Sequence, residues 1–245
     1  MSARRTHSRD LAVLGGVTLL AALGGCVTRQ SAPSGLAPAL NARPSPLLGH
    51  RFAVVPAKSL LVVLVYRAGA LAAAGHNHVI SCRCVSGTVY VPRDPMRAGF
   101  DLRIDVRQFT VDDPTLRAAE HSAEFPPDVS PAARQGTRHN MLGAALLNAA
   151  KFPRITLRSA GLRASSGASP RDIVAQVLVQ LAGQRRLIDV PVRYTVQDHE
   201  VTVTGRFPLR QTDLGLTPFS ALGGALKVRD GMDIRLHLVA DAASP

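Results

Sequence analysis

The sequence predicts a mainly β protein, an antiparallel barrel of about eight strands with one or two inserted helices. Three observations carry this expectation. Long stretches alternate apolar and polar residues with a period of two, as at Phe100, Leu102, Ile104 and Val106 against Asp101, Arg103, Asp105 and Arg107, the mark of strands with one face in a core and one in water. Helix-compatible segments are confined to one inserted region, so there is no strand–helix alternation and no doubly wound parallel sheet. An antiparallel sheet of this many strands tends to curl, and closure removes its exposed edges.

The chain opens with Arg4, Arg5 and Arg9, then an apolar run from Leu11 to Leu23 ending in Leu23-Gly24-Gly25-Cys26. A basic start, a short apolar middle and small residues before a cut read as a signal peptide over residues 1–25. The run falls short of the roughly 20 apolar residues of a membrane span. Leu-Gly-Gly-Cys resembles a bacterial lipobox, which implies cleavage before Cys26 and acylation of its thiol, so that the mature protein is exported and tethered to a membrane. Val27, where an inner-membrane retention signal often places Asp, favours the outer membrane. Residues 26–50, with Pro33, Pro38, Pro44 and Pro46 and no apolar period, read as a flexible tether. The barrel domain is expected over residues 51–242.

Within it, strands are expected at Ser59–Arg67, Asn77–Cys84, Gly87–Val91 and Phe100–Phe109. Pro114–Glu120 is short and helix-compatible, and Pro131–Ala150 is the better helix, with Met141, Leu142, Ala145, Leu146 and Ala149 near helical spacing. Strands return at Ile155–Ser159, Ile173–Leu181, Leu187–Val196 and Glu200–Leu209, with Gly183-Gln184 and Asp198-His199 as tight turns between pairs. Met232–Val239 closes the set.

The formal net charge of the whole chain is +12 at pH 7, with 29 Lys and Arg against 17 Asp and Glu. Its arginines are scattered singly between apolar residues, and export argues against a nucleic-acid partner, leaving anionic lipid headgroups or an acidic ligand as the beneficiaries of that charge. Catalytic signatures are missing: no G-x-S-x-G elbow, no phosphate-binding loop, no H-E-x-x-H helix and no paired carboxylates in apolar strands. No enzyme and no obligatory cofactor are expected.

Cys82 and Cys84 would lie about 7 Å apart on one face of a regular strand, at the outer limit for a disulfide. Free buried thiols are the default, a bridge needs a local distortion, and a redox or metal role is the sharper alternative. His76 and His78 share that face. Two imidazoles and two thiols suit zinc or copper, yet the four span about 27 Å of extended chain. A metal or haem site would therefore rest on His76 and His78, completed by a distant residue such as His121, His139 or His237; otherwise the pair orders the barrel mouth. Arg138, with His139 and Asn140, could meet a ligand headgroup at the entrance, and Asp213 is expected to fix the loop that closes the barrel.

Four segments in order, Gly75-His76-Asn77-His78, then Leu146-Leu147-Asn148 leading to Lys151-Phe152-Pro153-Arg154-Ile155, then Gly205-Arg206-Phe207-Pro208-Leu209 before Gln211-Thr212-Asp213-Leu214-Gly215-Leu216, and finally Met232 after Gly224-Ala225-Leu226-Lys227-Val228, resemble the YceI-like family of exported bacterial proteins. The resemblance covers roughly residues 52–240. It implies a lipocalin-like barrel with an elongated apolar cavity that binds polyprenyl or quinone-like lipids without catalysis, and it makes His76, Asn77, His78, Arg138 and Phe152 the candidate ligand-binding residues. A metal- or haem-binding module built on His76 and His78, or a ligand-free interaction barrel, is the alternative.

Overall fold

The computed structural model describes residues 42–166, 169–197 and 199–242. The signal peptide, Cys26 and most of the expected tether lie outside them, as does Asp198 of the second expected turn. Residues 42–49 lie against the barrel: the Ser45 amide donates to Ser159 O at 2.7 Å and the Arg185 guanidinium to Ala42 O at 2.7 Å.

Twelve strands form one antiparallel sheet: β1 (His50–Val54), β2 (Leu60–Ala68), β3 (His78–Cys82), β4 (Val85–Val91), β5 (Gly99–Asp105), β6 (Thr110–Val111), β7 (Arg154–Ala164), β8 (Asp172–Leu181), β9 (Gln184–Gln197), β10 (Glu200–Arg210), β11 (Ser220–Ala221) and β12 (Leu226–Ala242). Following the pairings β1-β4-β5-β7-β8-β9-β10-β12 and back to β1 closes an eight-strand barrel, while β2, β3 and β6 continue the sheet from the other half of β12.

The two halves are continuous in sequence. β1 and β2 form one arm of a long hairpin and β3 and β4 the other, and the pairing passes from Ala53↔Thr88 to Leu61↔Cys82, eight residues along one arm against six along the other. The surplus residues make a corner. A single 3-10 turn over Pro56–Lys58 interrupts the first arm. Buried Ser59 stitches it, donating to Val55 O at 2.8 Å and accepting from the Val239 amide at 3.0 Å, so the corner keeps hydrogen bonds that the ladder loses there. On the second arm the expected continuous strand through Cys84 is broken instead: β3 ends at Cys82 and the chain bends at Arg83. That bend brings the Cα atoms of Cys82 and Cys84 to 5.2 Å, and the two form a disulfide. The default of free thiols is thereby corrected, because it assumed an undistorted strand.

Elsewhere the strands follow the apolar alternation, and several run longer than expected. β12 begins at Leu226, since an irregularity between Val228 and Met232 carries the ladder past the turn. The Ala182-Gly183 turn joins β8 to β9, with both residues at positive φ, +47° and +79°, the combination that suits a two-residue hairpin with twisted arms.

Two helices lie in the insert between β6 and β7. Asp113 caps α1 (Pro114–Ala118), its carboxylate accepting from the Thr115 and Leu116 amides. Ser130 caps α2 (Pro131–Leu142) by accepting from Ala133 N at 3.1 Å, and Pro131 occupies the first helical position, where its missing N–H costs nothing. α2 is shorter than expected. Gly143 ends it in an extended conformation, and residues 143–152 form successive turns in which Asn148, at φ +46°, donates to Gly143 O at 2.8 Å. Leu146, Leu147 and Ala149 thus reach the interior without helical geometry, while Ala145 is exposed.

Candidate functional site

The inward residues of the barrel strands do not fill it. They enclose a cavity of about 700 Å³, within the range of small-molecule sites. Its wall is predominantly apolar: Leu61, Val63 and Val65 of β2 face in, as do Ile234, Leu236 and Leu238 of β12, while β5, β7, β8, β9 and β10 contribute in the same alternating way. Among the described residues no carboxylate lines it; the charged or titratable groups on its surface are Arg67, Lys227, His76, His78 and Tyr194.

One end of the cavity is partly covered by α2, whose Ala133, Gly136, Thr137, Asn140 and Met141 line it. The helix is joined to the barrel through His78. Its Nδ1 lies 2.7 Å from Asp112 Oδ2, and its Nε2 lies 3.2 Å from the Thr137 hydroxyl. Asp112 is wholly buried and held at φ +52° just after β6. Its Oδ1 accepts from the Val79 amide at 2.8 Å and from the Arg117 guanidinium at 2.7 Å. Arg117, also with no exposed side-chain surface, donates further to Asn77 O at 2.8 Å and Pro126 O at 2.6 Å, and sits 5.8 Å from the centre of the Phe125 ring. Burial pushes the Asp112 carboxyl up, but hydrogen bonds from His78 and Val79 and the charges of His78 and Arg117 outweigh burial and hold it below the usual carboxylate range.

This network separates two apolar layers. β3 alternates, so His78 and Ile80 face the cavity while Val79 faces outward into a smaller cluster with Val62, Leu64 and Phe125. Tyr66 closes that cluster, edge-on to Phe125 with ring centres 5.7 Å apart, and its hydroxyl donates to Asp233 at 2.5 Å. Desolvation, aided by the Asp233 carboxylate, pushes the Tyr66 phenol up to about 12.

Of the candidate ligand-binding residues, His76 and His78 line the cavity end. Asn77 points the other way; its amide accepts from the Arg67 backbone N–H and donates to Glu124 O, each at 2.9 Å, because adjacent residues of an extended chain face oppositely. Arg138 lies outside the cavity and donates to Arg107 O. Phe152 packs beneath the Ala182-Gly183 turn, so close that a Cβ on Gly183 would come within 2.8 Å of its ring. His76 and His78 have ring centres 6.2 Å apart, but both nitrogens of His78 already face partners. Among the described residues no three His, Cys, Asp or Glu side chains gather as a metal site, and His121, His139 and His237 do not complete one. Asp112 and Arg117, missed in the sequence, carry only a faint signal there: an Asp-Asp-Pro turn leading into a short helix. Asn140, expected at the entrance beside Arg138, does line the cavity, whereas Thr137 and Arg67 carry no signal in the sequence.

A closed antiparallel barrel with a hollow apolar interior and a helical cover at one end is a lipocalin-like small-molecule container. The family model for the YceI-like domain matches residues 53–240, and the chain belongs to that family. No curated protein sequence matches it. Among solved structures, BcnA of Burkholderia cenocepacia is 16% identical with a TM-score of 0.55, over 76% of this chain and 99% of that one. A polyisoprenoid binding domain from Saccharophagus degradans, implicated in plant cell wall breakdown, is 11% identical with a TM-score of 0.48, over 78% and 98%. The Campylobacter jejuni YCEI protein is 9% identical with a TM-score of 0.45, over 65% and 82%.

Proposed function

We propose that the barrel binds, without catalysis, one long apolar chain of isoprenoid type, a polyprenyl lipid or the tail of a quinone-like molecule. The observation that carries this reading is the 700 Å³ apolar cavity with few polar groups on its wall and no carboxylate among the described residues. Each buried methylene contributes about 0.8 kcal/mol, so a five-carbon unit contributes about 4 kcal/mol before the cost of ordering the chain. Such a ligand needs no polar anchor along its length, and the wall is predominantly apolar. The basic start, the apolar run and Cys26 support a lipoprotein held in the bacterial cell envelope, facing the periplasm from the outer membrane, where sequestration or transfer of an apolar lipid has its supply at hand.

The test is a native mass spectrum of the full chain purified from an exporting bacterium. The expected result is added mass that extracts into organic solvent and is identified as an apolar chain. Ala175, buried on β8 and lining the cavity, offers a matched control: Ala175→Phe should reduce the bound lipid while leaving the thermal midpoint unchanged or raised. A bare wild-type mass, or equal loading of the two proteins, overturns the reading.

A further inference from the structure

We infer that the paired loops at residues 69–75 and 219–225 form a membrane-docking tip that sets the cavity end against an anionic lipid surface. The two loops are joined: the Leu71 amide donates to Ala225 O at 2.8 Å, and Gly69 packs on the Ala225 carbonyl. Each presents a leucine to solvent, Leu71 at 46% and Leu222 at 72% exposure. Leu222 is held at φ +52°, a conformation that disfavours a bulky side chain. An exposed leucine kept in a strained turn has no role in the folded core, and such outliers point to function.

Charge names the surface. The chain from 67 to 76 and from 219 to 229 carries Arg67, His76, Lys227 and Arg229 and no Asp or Glu. Register places Arg67 opposite Val228 and Ala68 opposite Lys227, so the cations ring the apolar tip. Elsewhere on the barrel arginines face carboxylates, as Arg158 does Asp101, Arg193 does Asp172 and Arg210 does Asp230. Apolar side chains inside a basic collar suit an anionic headgroup layer. Ala74, Gly75, His76, Phe219 and Lys227 also line the cavity, so the docked tip would place the cavity end at the bilayer, whatever lipid the cavity holds.

The chain contains no tryptophan, which permits a site-specific reporter. The full chain carrying Cys26→Ser, to remove the acylatable thiol, is made with Leu222→Trp and, separately, with Leu48→Trp. Leu48 is exposed and precedes β1 at the opposite end of the barrel. Each protein is mixed with brominated phosphatidylglycerol or brominated phosphatidylcholine vesicles. Emission from position 222 should be quenched severalfold more than from position 48, and more by phosphatidylglycerol than by phosphatidylcholine. Adding Lys227→Gln should weaken partition onto phosphatidylglycerol about fivefold, the effect of one surface cation. Leu71→Asp should abolish the quenching while circular dichroism stays unchanged. Equal quenching at the two positions, stronger quenching at 48, indifference to lipid charge, or no quenching at all overturns the inference.

Discussion

Replacing Asp112 with asparagine isolates the buried charge on which the cover of the cavity rests. Asparagine tolerates the positive φ of this residue, and its carbonyl can still accept from the Val79 amide, so backbone strain and that hydrogen bond are held constant. The change is the loss of the negative charge beside Arg117, whose guanidinium is 2.7 Å away with no exposed side-chain surface. Breaking a buried pair by neutralising one partner costs about 3–5 kcal/mol, because the other charge stays desolvated. Part of the Arg117 charge is met by Asn77 O and Pro126 O, which argues for the lower end, about 3 kcal/mol. With a urea m-value of about 2 kcal/mol/M, that moves the unfolding midpoint by about 1.5 M. Adding Arg117→Met removes the stranded cation and should recover at least half of the loss. The pH dependence has a definite sign. A carboxyl whose folded pKa is depressed contributes stability above its unfolded value and loses it as pH falls through the folded one. The gap between wild type and Asp112→Asn should therefore be full from pH 5 to 7 and close below the usual carboxylate range. A midpoint for Asp112→Asn within 0.5 M of wild type at pH 7, or a double variant less stable than the single one, would refute the reasoning.

Reducing the Cys82–Cys84 disulfide opens a ring of only three residues, for which the chain-entropy relation gives about 1.5 kcal/mol; a urea midpoint measured with and without dithiothreitol should shift modestly, with the barrel still folded, and a collapse of the fold would show that the bridge holds the corner. Tyr66 should titrate near pH 12, read from the tyrosine absorbance change at high pH. Because its folded pKa is raised, its contribution to stability is present below pH 10 and is lost as pH rises towards 12. Asp233→Asn should move that titration back towards 10, and an unmoved titration would assign the shift to burial alone.

The parts of this fold that could be read from sequence are those where one strand face is buried. Phe100, Leu102 and Ile104, and Met232, Ile234, Leu236 and Leu238, announce their inward face by alternation, and all seven line the cavity. Alternation is blind to what lies beyond the side chains, so the same residues describe a packed core and a hollow one equally well. Corners are hidden for a different reason. Nothing local in Ser81-Cys82-Arg83-Cys84-Val85 says that the strand bends, and only the bend turns a marginal Cα separation into one of 5.2 Å. The sequence extends the helix to 150 because Leu146 and Ala149 keep an apolar spacing that turns satisfy as well as a helix does, while Ala145, which shares that spacing, is exposed. The charged network is the least legible element. His78 meets Asp112 from 34 residues away and Thr137 from 59, and neither partner has a periodic signal.

Asp112 stands where the inserted segment leaves β6, and its two oxygens serve the two faces of β3. Oδ2 meets the inward His78 and through it Thr137 of α2, while Oδ1 meets the Val79 amide and Arg117 over the outward cluster. The cover of the cavity and the outer layer that supports it are therefore joined at one carboxylate. α2 itself has no buried residue, so its position depends on this linkage, on the hydrogen bonds of Arg134 to Asp112 O and Arg138 to Arg107 O, and on the few side chains it extends into the cavity. A helix held in that way is suited to move without unfolding the barrel, since lifting it gives up the contacts of Thr137 with His78, Arg134 with Asp112 O and Arg138 with Arg107 O but leaves the β ladders intact. Loss of the Asp112 side chain would therefore weaken the cover and its support together, leaving α2 on the backbone carbonyls that Arg134 and Arg138 reach.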